Sequence, residues 1–95
     1  MGLKEAYQEK IEAQIREWDA KVEELKAKAQ QAKAEAKIRM EEQLLVLKES
    51  REGIVQKLDA LKEIGEDKWE SLQEGTDKAW SNMKNMLENF MNQNK

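Results

Sequence analysis

Residues 3–36 read LKEAYQEKIEAQIREWDAKVEELKAKAQQAKAEA. At 100° per residue, Leu3, Tyr7, Ile11, Ile15, Trp18, Val22, Leu25, Ala29, Ala32 and Ala36 fall on one face of a helix, with charged and amide side chains around the rest. The same face runs on through Met40, Leu44, Leu47, Ile54, Leu58 and Leu61. Unbroken, the stripe predicts one helix over about 3–63, roughly 90 Å long at 1.5 Å per residue. From Ile15 to Ala36 its steps alternate three and four, a heptad seam, whereas Tyr7, Ile11, Ile15 and Ala36, Met40, Leu44 advance by four. Such stutters lengthen the local repeat toward eleven residues in three turns, so partner helices are expected to run nearly straight, with little left-handed supercoil. The alanines at 27, 29, 32, 34 and 36 allow two helices to approach closely; an antiparallel pairing there is favoured and a parallel one stays open.

Farther along, Leu47, Leu58, Trp69, Trp80 and Met91 recur every eleven residues, as do Leu61, Leu72 and Met83. A stripe held at constant angle explains that degenerate repeat, and so does a duplicated unit. Gly65 follows the end of the first apolar pattern, and Asp67 with Glu70 has the spacing of a helix N-cap and its reciprocal partner. A turn is therefore expected at 64–66 and a second helix over about 67–92. Gly53 is the rival position for the turn, and Gly75 is a weak point in the second helix. Ile38, Leu45, Val46, Val55 and Ile64 lie off the stripe, all between residues 38 and 64. Covering them takes the second helix folded back over this stretch, together with another chain. The expected architecture is all-α: one domain over 1–95, a long helix and a shorter C-terminal one in an antiparallel helical hairpin or coiled coil.

Composition points the same way. Charged and apolar residues each make up 39% of the 95-residue chain and proline is absent, the balance of long helices rather than of a mixed domain. A chain this short buries a modest share of its surface alone, so a homo-oligomer is expected. Its net charge is −3 and no segment clusters Lys and Arg, which argues against nucleic acid as a partner. Histidine and cysteine are both absent. Without them the usual general base, the thiolate nucleophile and the commonest metal ligands are missing, so catalytic residues, metal and cofactor are all expected to be none. The adjacent acids Glu23/Glu24, Glu41/Glu42 and Glu66/Asp67 read as surface charge. No apolar run reaches the length of a transmembrane segment, no signal core opens the chain, and Gly2 lacks the hydroxyl residue that a myristoylation signal carries downstream. A cytoplasmic location is the expectation.

Two sets of residues are candidates for contact. The packing or oligomer stripe comprises Ile11, Ile15, Trp18, Val22, Leu25, Ala29, Ala32, Ala36, Leu47, Ile54, Leu58 and Leu61. The second set is the apolar face of the C-terminal helix: Trp69, Leu72, Trp80, Met83, Leu87 and Phe90, with Met91 beside them. That face either packs on residues 38–64 or, exposed, grips a lipid interface or a client groove; acidic polar neighbours such as Glu70, Glu74 and Glu88 disfavour an anionic membrane. On the outer face, Glu12/Arg16, Glu17/Lys21, Glu24/Lys28, Glu35/Arg39 and Glu74/Lys78 are acid-before-base pairs four apart, each adding about 0.2–0.5 kcal/mol to a helix.

Residues 3–29, LKEAYQEKIEAQIREWDAKVEELKAKA, with the Ala/Lys/Glu run to Ile38, resemble a family of short bacterial coiled-coil proteins of the stress response. The segments EDKWESL (66–72) and DKAWSNM (77–83) look like that family's tryptophan-bearing C-terminal part, whereas residues 50–56 around Gly53 depart from it. The eleven-residue amphipathic repeat is also similar to that of late embryogenesis abundant and apolipoprotein-like helices. The resemblance implies a cytoplasmic protein tied to stress tolerance, with no catalytic residues to carry over. The function expected is that of a non-enzymatic, self-associating scaffold or protective protein. Two alternatives are an amphipathic-helix module on a membrane or lipid surface and an adaptor for a single protein partner.

Overall fold

The apolar stripe closes on itself within one chain. In a computed structural model that describes residues 2–93, helix α1 (Leu3–Gln31) turns back into α2 (Ala34–Glu63), and α2 turns back into α3 (Glu70–Gln93). No strand forms among the described residues. The middle helix lies against both others, and the bundle is 51 Å long, little more than half the length expected of one continuous first helix.

The single helix expected over 3–63 is thus two helices, and the hairpin is a three-helix arrangement. The break is made by Ala32 (ψ 159°) and Lys33 (ψ 157°), both extended. Neither is a helix breaker. The physical reason lies in burial: a straight helix of that length leaves its whole apolar face needing cover from elsewhere, whereas folding back lets the α1 stripe cover the α2 stripe. The alanine stretch is the place where bending gives up least, because a methyl group buries far less apolar area than Leu, Ile or Trp. The second connection also differs from expectation. It runs from Ile64 through a turn at 66–69, and α3 begins at Glu70, three residues after the expected start. Gly65 does lie in this turn, in an ordinary negative-φ conformation, and a β-carbon there would come within 2.9 Å of Asp67 Oδ1. Gly53 breaks nothing; it sits inside α2 with no neighbour within 4 Å of where a β-carbon would stand.

Buried core residues come from every helix: Tyr7, Ile11, Ile15, Trp18, Leu25 and Ala29 from α1, Met40, Leu44, Leu47, Ile54, Leu58 and Leu61 from α2, and Met83, Leu87 and Phe90 from α3, with Trp69 from the turn before it. Two polar devices fasten the helix ends and the middle of α3. Lys4 is buried at the base of the bundle, where its ammonium donates to the carbonyl oxygens of Ile64 (2.6 Å) and Lys62 (3.4 Å). A cation there satisfies acceptors that α2 leaves open and meets the negative end of its dipole. In α3 the buried Thr76 hydroxyl donates to Leu72 O one turn back, so no polar atom of that side chain enters the core unpaired.

Candidate interaction surfaces

Of the stripe residues, Ile11, Ile15, Trp18, Leu25, Ala29, Leu47, Ile54, Leu58 and Leu61 are buried inside the single chain, and Val22, Ala32 and Ala36 are half-buried. Leu3 opens the stripe but is exposed. The second set also faces inward: Trp69, Met83, Leu87 and Phe90 are buried, Leu72 and Trp80 are half-buried against the core, and only Met91, near the end of the described chain, is exposed. The α3 face packs on α2, where Met86 and Phe90 line a cleft with Gln43, Val46 and Leu47, and its tryptophan reaches α1. Tyr7 meets Trp69 at 5.6 Å between ring centroids, and Trp18 meets Trp80 at 5.9 Å. The Trp18–Trp80 pair joins α1 to α3, and the Tyr7–Trp69 pair joins α1 to the turn that leads into it.

The single tyrosine is held at that junction. Its hydroxyl donates to the Asp77 carboxylate and contacts Gln73 O at 3.3 Å. Burial pushes the Tyr7 phenol well above its ordinary range, and the neighbouring Asp77 charge pushes it further. A phenol whose folded-state pKa is raised contributes stability that is whole below the unfolded value, about 10, and is lost as pH climbs past it. We expect phenolate absorbance near 295 nm to rise only together with loss of helical dichroism in an alkaline titration. Ionisation at an ordinary tyrosine pH with the helices intact would contradict this placement.

Interhelical charge contacts are what sequence spacing could not reveal. Arg51 grips Asp19 with two guanidinium nitrogens, at 2.7 and 3.1 Å, and the carboxylate keeps the Arg51 pKa above its usual value. Glu12, expected to pair with Arg16, reaches instead to Lys62 at 3.3 Å, whereas Glu74 and Lys78 approach to 3.7 Å as their spacing predicts. Pairs as open to water as these are worth at most about 1 kcal/mol each, and the two that cross between helices set orientation more than stability.

The off-stripe residues divide. Val55 and Ile64 are half-buried against the core, but Ile38, Leu45 and Val46 are 58%, 58% and 50% exposed. Cover for those three is expected from the second helix together with another chain; α3 reaches Val46, which lines a cleft with Phe90, and leaves Ile38 and Leu45 mostly in water. Ile38 and Leu45 are seven residues apart on the outer side of α2, with Glu42 and Glu49 between and beyond them, all exposed. Leu45 also borders an open groove between α1 and α2 that Val22, Leu44 and Lys48 help to line. An apolar patch rimmed by charge is the form a contact surface takes on a small protein. Among the described residues no group of three or more Asp, Glu, His or Cys side chains is placed to hold a metal ion, and no helix is long and apolar enough to cross a membrane. Comparison of the chain with protein-family models, with curated proteins and with solved structures gives no match.

Proposed function

We propose that this chain is a non-enzymatic contact protein that self-associates and serves as a scaffold or protective protein under stress. The observation that carries the reading is the exposure of Ile38 and Leu45 on the outer side of α2, while the stripe from Tyr7 to Leu61 is buried or half-buried. Removing such side chains from water favours association in proportion to the apolar area covered. The absence of histidine and cysteine from the sequence supports a role without catalysis. The resemblance of residues 3–29 to bacterial stress-response coiled-coil proteins supports the physiological setting and a cytoplasmic location. Lipid adsorption through α3 is the weaker reading, because the face it needs is turned into the bundle and α3 would first have to leave α2. A client protein docked on the same α2 patch is the third reading.

Mass measured by light scattering across dilution tests the proposal. Wild type is expected to exceed the monomer mass at the upper end of the range. The doubly substituted Ile38→Glu, Leu45→Glu chain is expected to associate less while keeping its helicity, since both side chains already face solvent. A wild-type mass of one chain from micromolar to millimolar concentration overturns the reading.

A further inference from the structure

We infer that the chain exchanges helices with a second copy of itself: the Ala32–Lys33 connector straightens, residues 3–63 become one helix, and α1 of each copy docks on α2 and α3 of the other. The inference rests on the self-associating reading above and adds a second contact to it, since exchange leaves Ile38 and Leu45 on the outside.

Three independent observations lead to it. The first is the connector. It holds only two extended residues, contains neither glycine nor proline, and has no side-chain cap at the start of α2. Every residue from Lys26 to Lys37 is Ala, Lys, Gln or Glu, among the strongest helix formers, so the turn is made against the preference of its own sequence. Straightening it restores backbone hydrogen bonds that the end of α1 and the start of α2 forgo. The second is phase. Ala29, Ala32, Ala36 and Met40 step by three, four and four across the break, so in an unbroken helix the buried faces of α1 and α2 fall on one line. A hairpin places no such demand on the register of its two arms; a continuous helix lying against an antiparallel copy does. The third is that the packing is transferable. Asp19 with Arg51, Glu12 with Lys62, Lys4 with Ile64 O, Tyr7 with Asp77 and Trp18 with Trp80 all join α1 to the remainder of the chain. Each contact forms equally well when the partner supplies one side of it. Two such helices cross near residues 32–36, where alanines at 32, 34 and 36 permit close approach.

Hairpin and exchanged dimer thus share nearly all their contacts and differ chiefly at the connector, so protein concentration decides between them. The dimer would be an elongated rod carrying two outer patches of Ile38 and Leu45 near its centre.

The test exploits the cysteine-free sequence. Asp19→Cys and Arg51→Cys are introduced together and bridged with a short bifunctional thiol reagent in the oligomeric fraction. Exchange predicts covalent dimers on a denaturing gel; bridging confined within one chain in that fraction overturns the exchange and leaves self-association standing. Lys33→Pro is the companion variant. Lys33 has φ −67°, the value proline imposes, and Ala32 is already extended as a residue before proline must be. The hairpin therefore accepts Lys33→Pro, while a straight helix through residue 33 does not. The association constant of the exchanged dimer is expected to fall at least ~100-fold, with the monomer's helical dichroism retained. Covalent dimers that persist unchanged in Lys33→Pro overturn the inference. A wild-type chain that is monomeric at every concentration overturns both the exchange and the self-associating reading.

Discussion

Trp18→Ala is expected to destabilise the fold by about 3–5 kcal/mol, the range for removing a large aromatic side chain from a packed core. The indole is only 3% exposed and reaches from α1 to Trp80 on α3, one of two aromatic contacts, with Tyr7–Trp69, that fasten α1 to the C-terminal part of the chain. Its loss opens a cavity that backbone movement fills poorly, because α1 is already held against α2 by Asp19–Arg51 one residue away. A domain of this size has a total stability of about 5–15 kcal/mol. The variant should therefore sit near the edge of folding, with Tm lowered by more than ~10 °C. Trp18→Phe provides the control. The Trp18 Nε1 donor is buried and bonds to no protein acceptor, so phenylalanine removes an unmet hydrogen-bonding demand along with part of the ring. Its net penalty is expected to be well under half that of alanine. Urea denaturation of the three proteins measures both numbers, and a Trp18→Ala penalty below ~1 kcal/mol would show that the ring is not enclosed.

Ile54→Ala is expected to destabilise by about 2–5 kcal/mol, whereas Ile38→Ala and Leu45→Ala on the same helix change stability by no more than about 0.5 kcal/mol. Ile54 has no exposed surface and belongs to the core to which all three helices contribute. Ile38 and Leu45 lie mostly in water already, so truncating them removes little buried area. The comparison separates folding from contact: the exposed pair should affect mass and not melting, the buried residue melting first. Equal penalties at the three positions, measured by urea denaturation at a concentration where each protein is monomeric, would contradict the burial pattern.

The aromatic face of α3 illustrates how far local pattern reaches. Its period places Trp69, Leu72, Trp80, Met83, Leu87 and Phe90 together from residue spacing alone, and their inward position follows from having a bundle to face. Spacing said nothing of Lys4 closing the end of α2, or of Arg51 crossing to Asp19, because those partners are 60 and 32 residues apart in sequence. The outer patch was marked as anomalous by its position off the stripe, yet the division between half-buried Val55 and exposed Leu45 depends on where α1 and α3 happen to lie.

By itself, the sequence determined an all-α chain and the residues that share the buried face, and it offered Gly65 ahead of Gly53 as a turn, since propensity and period are properties of neighbours along the chain. Only the tertiary structure decided that the first helix stops at Gln31 and resumes at Ala34. Nothing in an alanine, lysine and glutamine stretch asks for a break. It arises because the faces of α1 and α2 hide more apolar surface against each other than a straight helix hides alone, and that gain outweighs the few backbone hydrogen bonds surrendered where the chain turns.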